Sequence, residues 1–252
     1  MRFVVTGGAG FVGSHLVKLL VREGHQVKVI DNLHTGKMEN LEEIIEDIEF
    51  CEIDIQNFDA MDKELKDMEG VFHQAALTVV QDSFKMPEKY HNVNVDGTEN
   101  IFKIALKNNF KVVYASSSSV YGHQDVVPIL ENFGKKPINP YGKTKLDDEI
   151  LAERYATEGT KIIGLRYFNI FGKGQTLEYA GVITKFLEKL RERKAPIIFG
   201  TGSQIRDFIH VEDVANANLL AMKSDVSFVH ANIGTGNSIS ILELAKIMID
   251  IS

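Results

Sequence analysis

The stretch Thr6-Gly7-Gly8-Ala9-Gly10-Phe11-Val12-Gly13 constrains this chain most. It is entered straight from an apolar run, Phe3-Val4-Val5, and leaves into Leu16, Val17, Leu19 and Leu20 at helical spacing. Strand, glycine turn and amphipathic helix, in that order, open a dinucleotide-binding fold. Glycine accepts the tight turn, and bare backbone N–H groups at the positive end of a helix can approach a pyrophosphate. Gly8, Gly10 and Gly13 satisfy a G-x-G-x-x-G spacing, and Gly7, Gly10 and Gly13 a G-x-x-G-x-x-G spacing. Either alone would also suit a purely structural turn, so the residue that ends the next strand decides. That second strand, over residues 27–30, ends at Asp31-Asn32, and Asp31 lies 18 residues past Gly13. An acid there accepts both ribose hydroxyls of NAD and repels a 2′-phosphate, so NAD rather than NADP is expected.

Further apolar runs at 48–55, 71–76, 111–115 and 162–165 alternate with helical stretches at 41–47, 58–68, 88–107 and from Pro140 onward. Such alternation predicts a parallel, doubly wound α/β sheet of the Rossmann type. Asp54-Ile55, closing the third strand, are placed to cover an adenine edge, and the small Ala75-Ala76 pair admits a flat ligand. After residue 165 the pattern loosens into helices at 181–193, 211–222 and 239–249, with short apolar runs at 197–199 and 208–209. The chain thus reads as an NAD-binding domain over 1–169 and a smaller substrate lobe over 170–252, with parts of 206–235 returning to the first.

Tyr141 and Lys145 lie four apart on the helix opened by Pro140 and so share a face. A tyrosine of ordinary pKa, near 10, is only about 0.1% ionised at neutral pH. A neighbouring ammonium and a cationic nicotinamide ring both favour the phenolate, which can then act as a base. Four serines, Ser116 to Ser119, end the fifth strand, where ligands of open α/β sheets bind. One hydroxyl there can hydrogen-bond a reacting alcohol or ketone, and no G-x-S-x-G elbow makes it a nucleophile. Chemistry alone does not choose among the four. Arg206-Asp207 beside Gly200-Thr201-Gly202 could hold a phosphate or form a structural ion pair. The eight histidines show no metal-ligand spacing; His73 and His210 read as packing or hydrogen-bonding residues, and no metal is implied. Cys51, the single cysteine, reads as a small core residue and points to a reducing compartment, hence to the cytoplasm. A net charge of −7 without a basic run argues against nucleic acid, and no run of about 18 apolar residues points to a membrane.

Together these residues resemble the extended short-chain dehydrogenase/reductase family, in particular its sugar-nucleotide epimerases of the UDP-glucose 4-epimerase kind. The resemblance rests on TGGAGFVGSHL from Thr6, DNL from Asp31, Asp54-Ile55, HQAA from His73, and NVDGT from Asn94. It continues in SSSSVYG from Ser116, YGKTK from Tyr141, RYFN from Arg166 and RDFIHVED from Arg206. It implies that Ser117 is the catalytic serine, that Tyr141 is the acid/base, and that Lys145 binds the nicotinamide ribose. It implies a cofactor site of Gly7, Gly10, Phe11, Val12, Gly13, Asp31, Asn32, Asp54, Ile55, Ala75, Ala76, Thr78, Asn94, Tyr141, Lys145 and Phe168. The substrate, a UDP-sugar, would meet Ser117, Tyr141, Asn169 and Arg206. Related 4,6-dehydratases carry an Asp-Glu pair where this chain has Ser118-Ser119, which favours simple epimerisation. The resemblance also implies a homodimer through helices around 94–107 and 141–156. Family members continue beyond the position of Ser252, so an incomplete substrate lobe is expected. Rival readings are a nucleotide-sugar reductase or another epimerase of the family, and a non-catalytic NAD-binding sensor.

Overall fold

The computed structural model describes residues 1–175 and 181–252. In chain order the elements are β1 (Arg2–Thr6), α1 (Phe11–Arg22), β2 (Gln26–Asp31), β3 (Ile48–Glu52), α2 (Phe58–Glu64), β4 (Gly70–His73), α3 (Val80–Lys85), α4 (Pro87–His91) and α5 (Gly97–Asn108). There follow β5 (Lys111–Ser117), α6 (Pro140–Thr157), β6 (Ile162–Tyr167), β7 (Asn169–Phe171), α7 (Val182–Arg191), β8 (Ile205–His210), α8 (Val211–Lys223), β9 (Phe228–Ile233), β10 (Ser238–Ser240) and α9 (Ile241–Asp250).

Seven strands form one sheet in the order β3-β2-β1-β4-β5-β6-β9, every pair parallel. The period of two along β1 decides its two faces. Phe3 and Val5 join Leu16, Leu20, Val214 and Leu219 of α1 and α8 in one core, while Val4 joins Phe102, Tyr114 and Ala152 under α5 and α6 in the other. With both faces covered, β1 has to be apolar throughout, which is why it reads as an unbroken run. Strand order reverses between β1 and β4, so their carboxyl ends open a crevice, the position where such sheets bind ligands. A three-stranded sheet, β10-β8-β7, stands apart and packs a small core of Phe186, Leu244, Ala245 and Met248.

Several elements differ from the sequence expectation. Residues 42–47 form a 3₁₀ helix. The third strand stops at Glu52, before Asp54, whose carboxylate accepts the Gln56 N–H at 2.8 Å in an Asx turn. The fourth strand stops at His73, and α2 ends at Glu64. The long helix is divided by a π-helical turn over Asn92–Asp96 and ends at Asn109 in the left-handed conformation, φ 55°. Residues 197–199 form no strand. The last strand of the main sheet, β9, is not read as a strand from the sequence, although it lies within 206–235, parts of which are expected to return to this domain. Its pairing places Gly164 of β6 between Tyr114 and His230, whose side chains meet over it at 2.8 Å; a Cβ on Gly164 would lie 2.8 Å from the tyrosine ring.

Candidate active site

The glycine turn is built by close backbone approach. Gly7 has φ +67°, and a Cβ on it would lie 2.7 Å from the backbone nitrogen of Ala75. Gly10 is the N-cap of α1, with its N–H on the Gly7 carbonyl at 3.1 Å. A Cβ on Gly13 would overlap that same carbonyl oxygen. The turn therefore admits no side chain at Gly13 without opening. Gly13→Ala is expected to weaken NAD binding about tenfold or more, read by titrating cofactor-free protein with NADH fluorescence; unchanged affinity would show that the turn does not cradle the cofactor.

Asp31 is buried at the end of β2, its two oxygens accepting the N–H groups of Ala9 (3.0 Å) and Leu33 (2.8 Å). Burial raises its carboxyl, and these two N–H groups oppose the rise. Gly36 lies so close that a Cβ there would come within 2.8 Å of the carboxylate. Asp31 lines a cavity of about 270 Å³ whose wall also includes Gly7, Asn32, Asp54, Ile55, Ala75 and Ala76, and each of its oxygens has acceptor capacity beyond its one N–H. Asn32 Nδ2 donates to Asp54 at 2.8 Å across its rim. A fixed carboxylate facing a slot beside a glycine turn fits the adenosine end of NAD.

A second cavity, about 360 Å³, shares Gly7 and Gln74 with the first and brings in Phe11, Val12, Gly13, Thr78, Ser117, Tyr141 and Phe168. Asn139 starts α6 by accepting the Gly142 N–H at 2.7 Å, with Pro140 in its first turn, and this aims Tyr141 at the cavity. Ser117, buried at the end of β5, accepts the Ser119 N–H. Lys145 is buried behind the wall, its ammonium 3.1 Å from Asp148. Behind it His73 bridges Thr6 (2.6 Å) and Thr98 (2.9 Å), and burial with the Lys145 cation holds its imidazole down at about 3. Asn94 is fully buried, and its amide is engaged with both backbone groups of Leu77 and with Thr144. Its neighbour Val93, not Asn94, lines a cavity. Sequence reasoning passed over Gln74, His34, Thr35 and Lys89, which line both cavities. The first three follow the carboxyl ends of β4 and β2, a positional signal that could have found them.

The third cavity is the largest, about 660 Å³, and adjoins the second at Phe168. Asn169 and Arg206 lie in its wall with Ser118 and Ser119. Asn169 donates to the Asp207 carbonyl at 3.0 Å, while the exposed Arg206 donates to the carbonyl of its neighbour Ile205 at 2.7 Å. Asp207 forms no ion pair with it; its carboxylate instead accepts the N–H groups of Thr235 and Gly236. Beneath the floor, Arg166 is paired in a fork with Glu149 (2.7 and 2.9 Å) and donates to Tyr121. Burial pushes the Glu149 carboxyl up, but bonds from Arg166, helped by His230, Lys135 and Ser116, hold it at about 2.

Two residues singled out by type lie away from these cavities. Cys51 is half-buried rather than in the core, at the sheet edge between Glu49 and Glu64. Lys28 bridges those acids at 3.1 and 2.7 Å, so the cation position of that cluster is filled by an ammonium, and burial with Glu64 raises the thiol. His210 stacks edge-on with Phe171. Among the described residues no helix is long and apolar enough to cross a membrane.

The family model for the NAD dependent epimerase/dehydratase family matches residues 3–234. The chain belongs to this family. A putative UDP-glucose 4-epimerase of Methanocaldococcus jannaschii is 41% identical over 250 residues, covering 97% of this chain and 80% of the relative. A UDP-N-acetylglucosamine 4-epimerase of Methanobrevibacter ruminantium, solved with UDP-N-acetylmuramic acid, superposes with TM-score 0.94 at 38% identity over 99% of this chain and 81% of its own. A UDP-glucose 4-epimerase of Thermotoga maritima, solved with UDP-glucose, gives 0.93 at 35% identity over 100% and 82%. The expectations of a Rossmann-type fold and of an NAD-dependent epimerase are borne out by this membership and these relatives.

Proposed function

We propose that this family member interconverts the C4 epimers of a UDP-hexose, glucose and galactose or their N-acetylated forms. One observation carries the reading. Ser117 and Tyr141 line the same cavity as the glycine turn, and Phe168 lines both that cavity and the larger one that holds Asn169 and Arg206 in its wall. NAD held along the first two cavities would supply the hydride acceptor and, once reduced, the donor. Asp31 would accept its ribose hydroxyls, and Lys145 would orient the nicotinamide ribose. Tyr141 takes the proton of the sugar 4-hydroxyl and later returns it, while the Ser117 hydroxyl hydrogen-bonds the reacting oxygen. Asn169 and Arg206 hold the diphosphate, and the roomy third cavity lets the 4-keto sugar present its other face. Ser118 and Ser119 offer no carboxyl for eliminating water, which favours epimerisation over dehydration.

The division into an NAD-binding domain and a substrate lobe follows the same line, with β9 in the main sheet and β7, β8 and β10 in the small one. A homodimer through the α5 and α6 faces, where Ile150 is 57% exposed, and a cytoplasmic location complete the proposal. Sedimentation tests the dimer. The activity is tested by mass spectrometry of the cofactor carried by purified protein, then incubation with UDP-glucose and with UDP-N-acetylglucosamine. Bound NAD and a gluco/galacto mixture with no net NADH change is the expected result. Net NADH consumption would favour the reductase, and bound NAD without turnover the sensor.

A further inference from the structure

Tyr141, Lys145 and Asp148 stand at i, i+4 and i+7 of α6, one stripe down a single helix face. The last of them is anomalous. Asp148 is wholly buried, one carboxylate oxygen lies 3.1 Å from Lys145 Nζ, and the other has no hydrogen-bond partner. An orphaned carboxylate oxygen in a protein interior is costly, and a well-packed apolar residue would avoid that cost. Lys145 in turn is 3% exposed, and among the described residues Asp148 is its one ion-pair partner.

We propose that Asp148 is a positioning residue, holding the Lys145 ammonium in line with Tyr141 and tempering its field on the phenol. This rests on the epimerase reading above and adds to it a group that touches neither substrate nor cofactor. Burial, opposed by Lys145, pushes the Asp148 carboxyl up to about 7, so above neutral pH the stripe carries an anion two turns from the phenol. That anion offsets part of the pull of Lys145.

The groups facing the pair are few. Asp147 and Glu149 flank it on α6, and Glu149 is neutralised by Arg166 of β6, with His230 of β9 nearby. His73 faces it from β4, held neutral by burial, and Tyr114 from β5, bonded to His230. Tyr121, in the 3₁₀ turn against α6, is bonded to Arg166. The charges of α3 and α5 pair at the surface as Asp82 with Lys85 and Glu99 with Lys103 and Arg154, and Asp96 of the π turn lies 3.9 Å from the His91 ring of α4. Glu88 and Lys89 of α4 are exposed.

The test is Asp148→Asn, which keeps the shape and removes the charge. Above pH 7, where Asp148 is an anion, the acid limb of the kcat/KM profile for UDP-glucose is expected to move to lower pH by up to about one unit, as expected for one charge about 10 Å away in a partly screened interior, and below that pH the two profiles converge. An activity-free measurement accompanies it: phenolate absorbance against pH, each chain referenced to its own Tyr141→Phe derivative. The onset is expected to move the same way. A residue that merely props the helix would change the urea midpoint and leave both pH curves in place, and that result overturns the proposal. If the parent turns over no UDP-sugar, the epimerase reading has failed, and the phenolate titration alone decides the role of Asp148.

Discussion

Tyr141→Phe is expected to lower epimerase turnover by about 10²–10⁴-fold while leaving NAD bound, the range that a positioned general acid/base contributes. The substitution removes one oxygen and keeps the ring. The backbone N–H of Tyr141 donates to Ser83 and the helix is capped by Asn139, so neither anchor of this turn is disturbed. Ser117 and the glycine turn remain in the cavity wall, and affinity for the sugar nucleotide should change little. Measured kcat and KM, together with mass spectrometry of retained cofactor, separate the effects. A variant within threefold of the parent in kcat would remove Tyr141 from the chemistry. Loss of NAD along with activity would instead assign it a binding role.

Arg166→Met is expected to cost about 3–5 kcal/mol of folding stability, the penalty for leaving a buried charge without its partner. Arg166 and Glu149 side chains are 2% and 1% exposed. Without the guanidinium, Glu149 keeps Ser116 and Lys135 but loses its fork, and Tyr121 and the Glu131 carbonyl lose a donor. The urea midpoint measures the loss. Adding Glu149→Leu should restore a good part of it, because the orphaned charge then disappears. A single variant as stable as the parent would mean that water reaches Glu149. The same pair ties β6 and α6 to the loop over the third cavity, so substrate KM should rise in Arg166→Met even where the fold survives.

Local patterns made much of this legible in the sequence. Phe3 to Val5 is apolar on both faces, the glycines come at once after it, and Asp31 ends the next strand; each signal is read within a few residues. Tyr141 and Lys145 are recognisable because helical spacing is itself local. What was missed depends on distant partners. Phe228 to Ile233 carries His230 and Asn232 in its middle and shows no clean run, yet it completes the sheet because Tyr114 and Tyr121 supply hydrogen-bond partners for those two polar side chains. Asn94 sits in a motif whose resemblance implies cofactor contact, and its amide is engaged by Leu77 and Thr144, partners that only the fold brings to it. Nothing in the sequence distinguishes the buried carboxylate of Asp148 from a solvated acid on a polar helix.

The place of β9 has a consequence for how the chain acquires its structure. β6, which carries Arg166 and Tyr167, has no neighbour on its outer side until residues 228–233 arrive, more than sixty positions later. Bringing together segments so far apart costs loop-closure entropy before any contact rewards it, which slows folding. Until then the outer N–H and C=O groups of β6 form an open edge that another nascent chain can pair with. During synthesis the floor of the site is therefore the last part of this sheet to gain its neighbour.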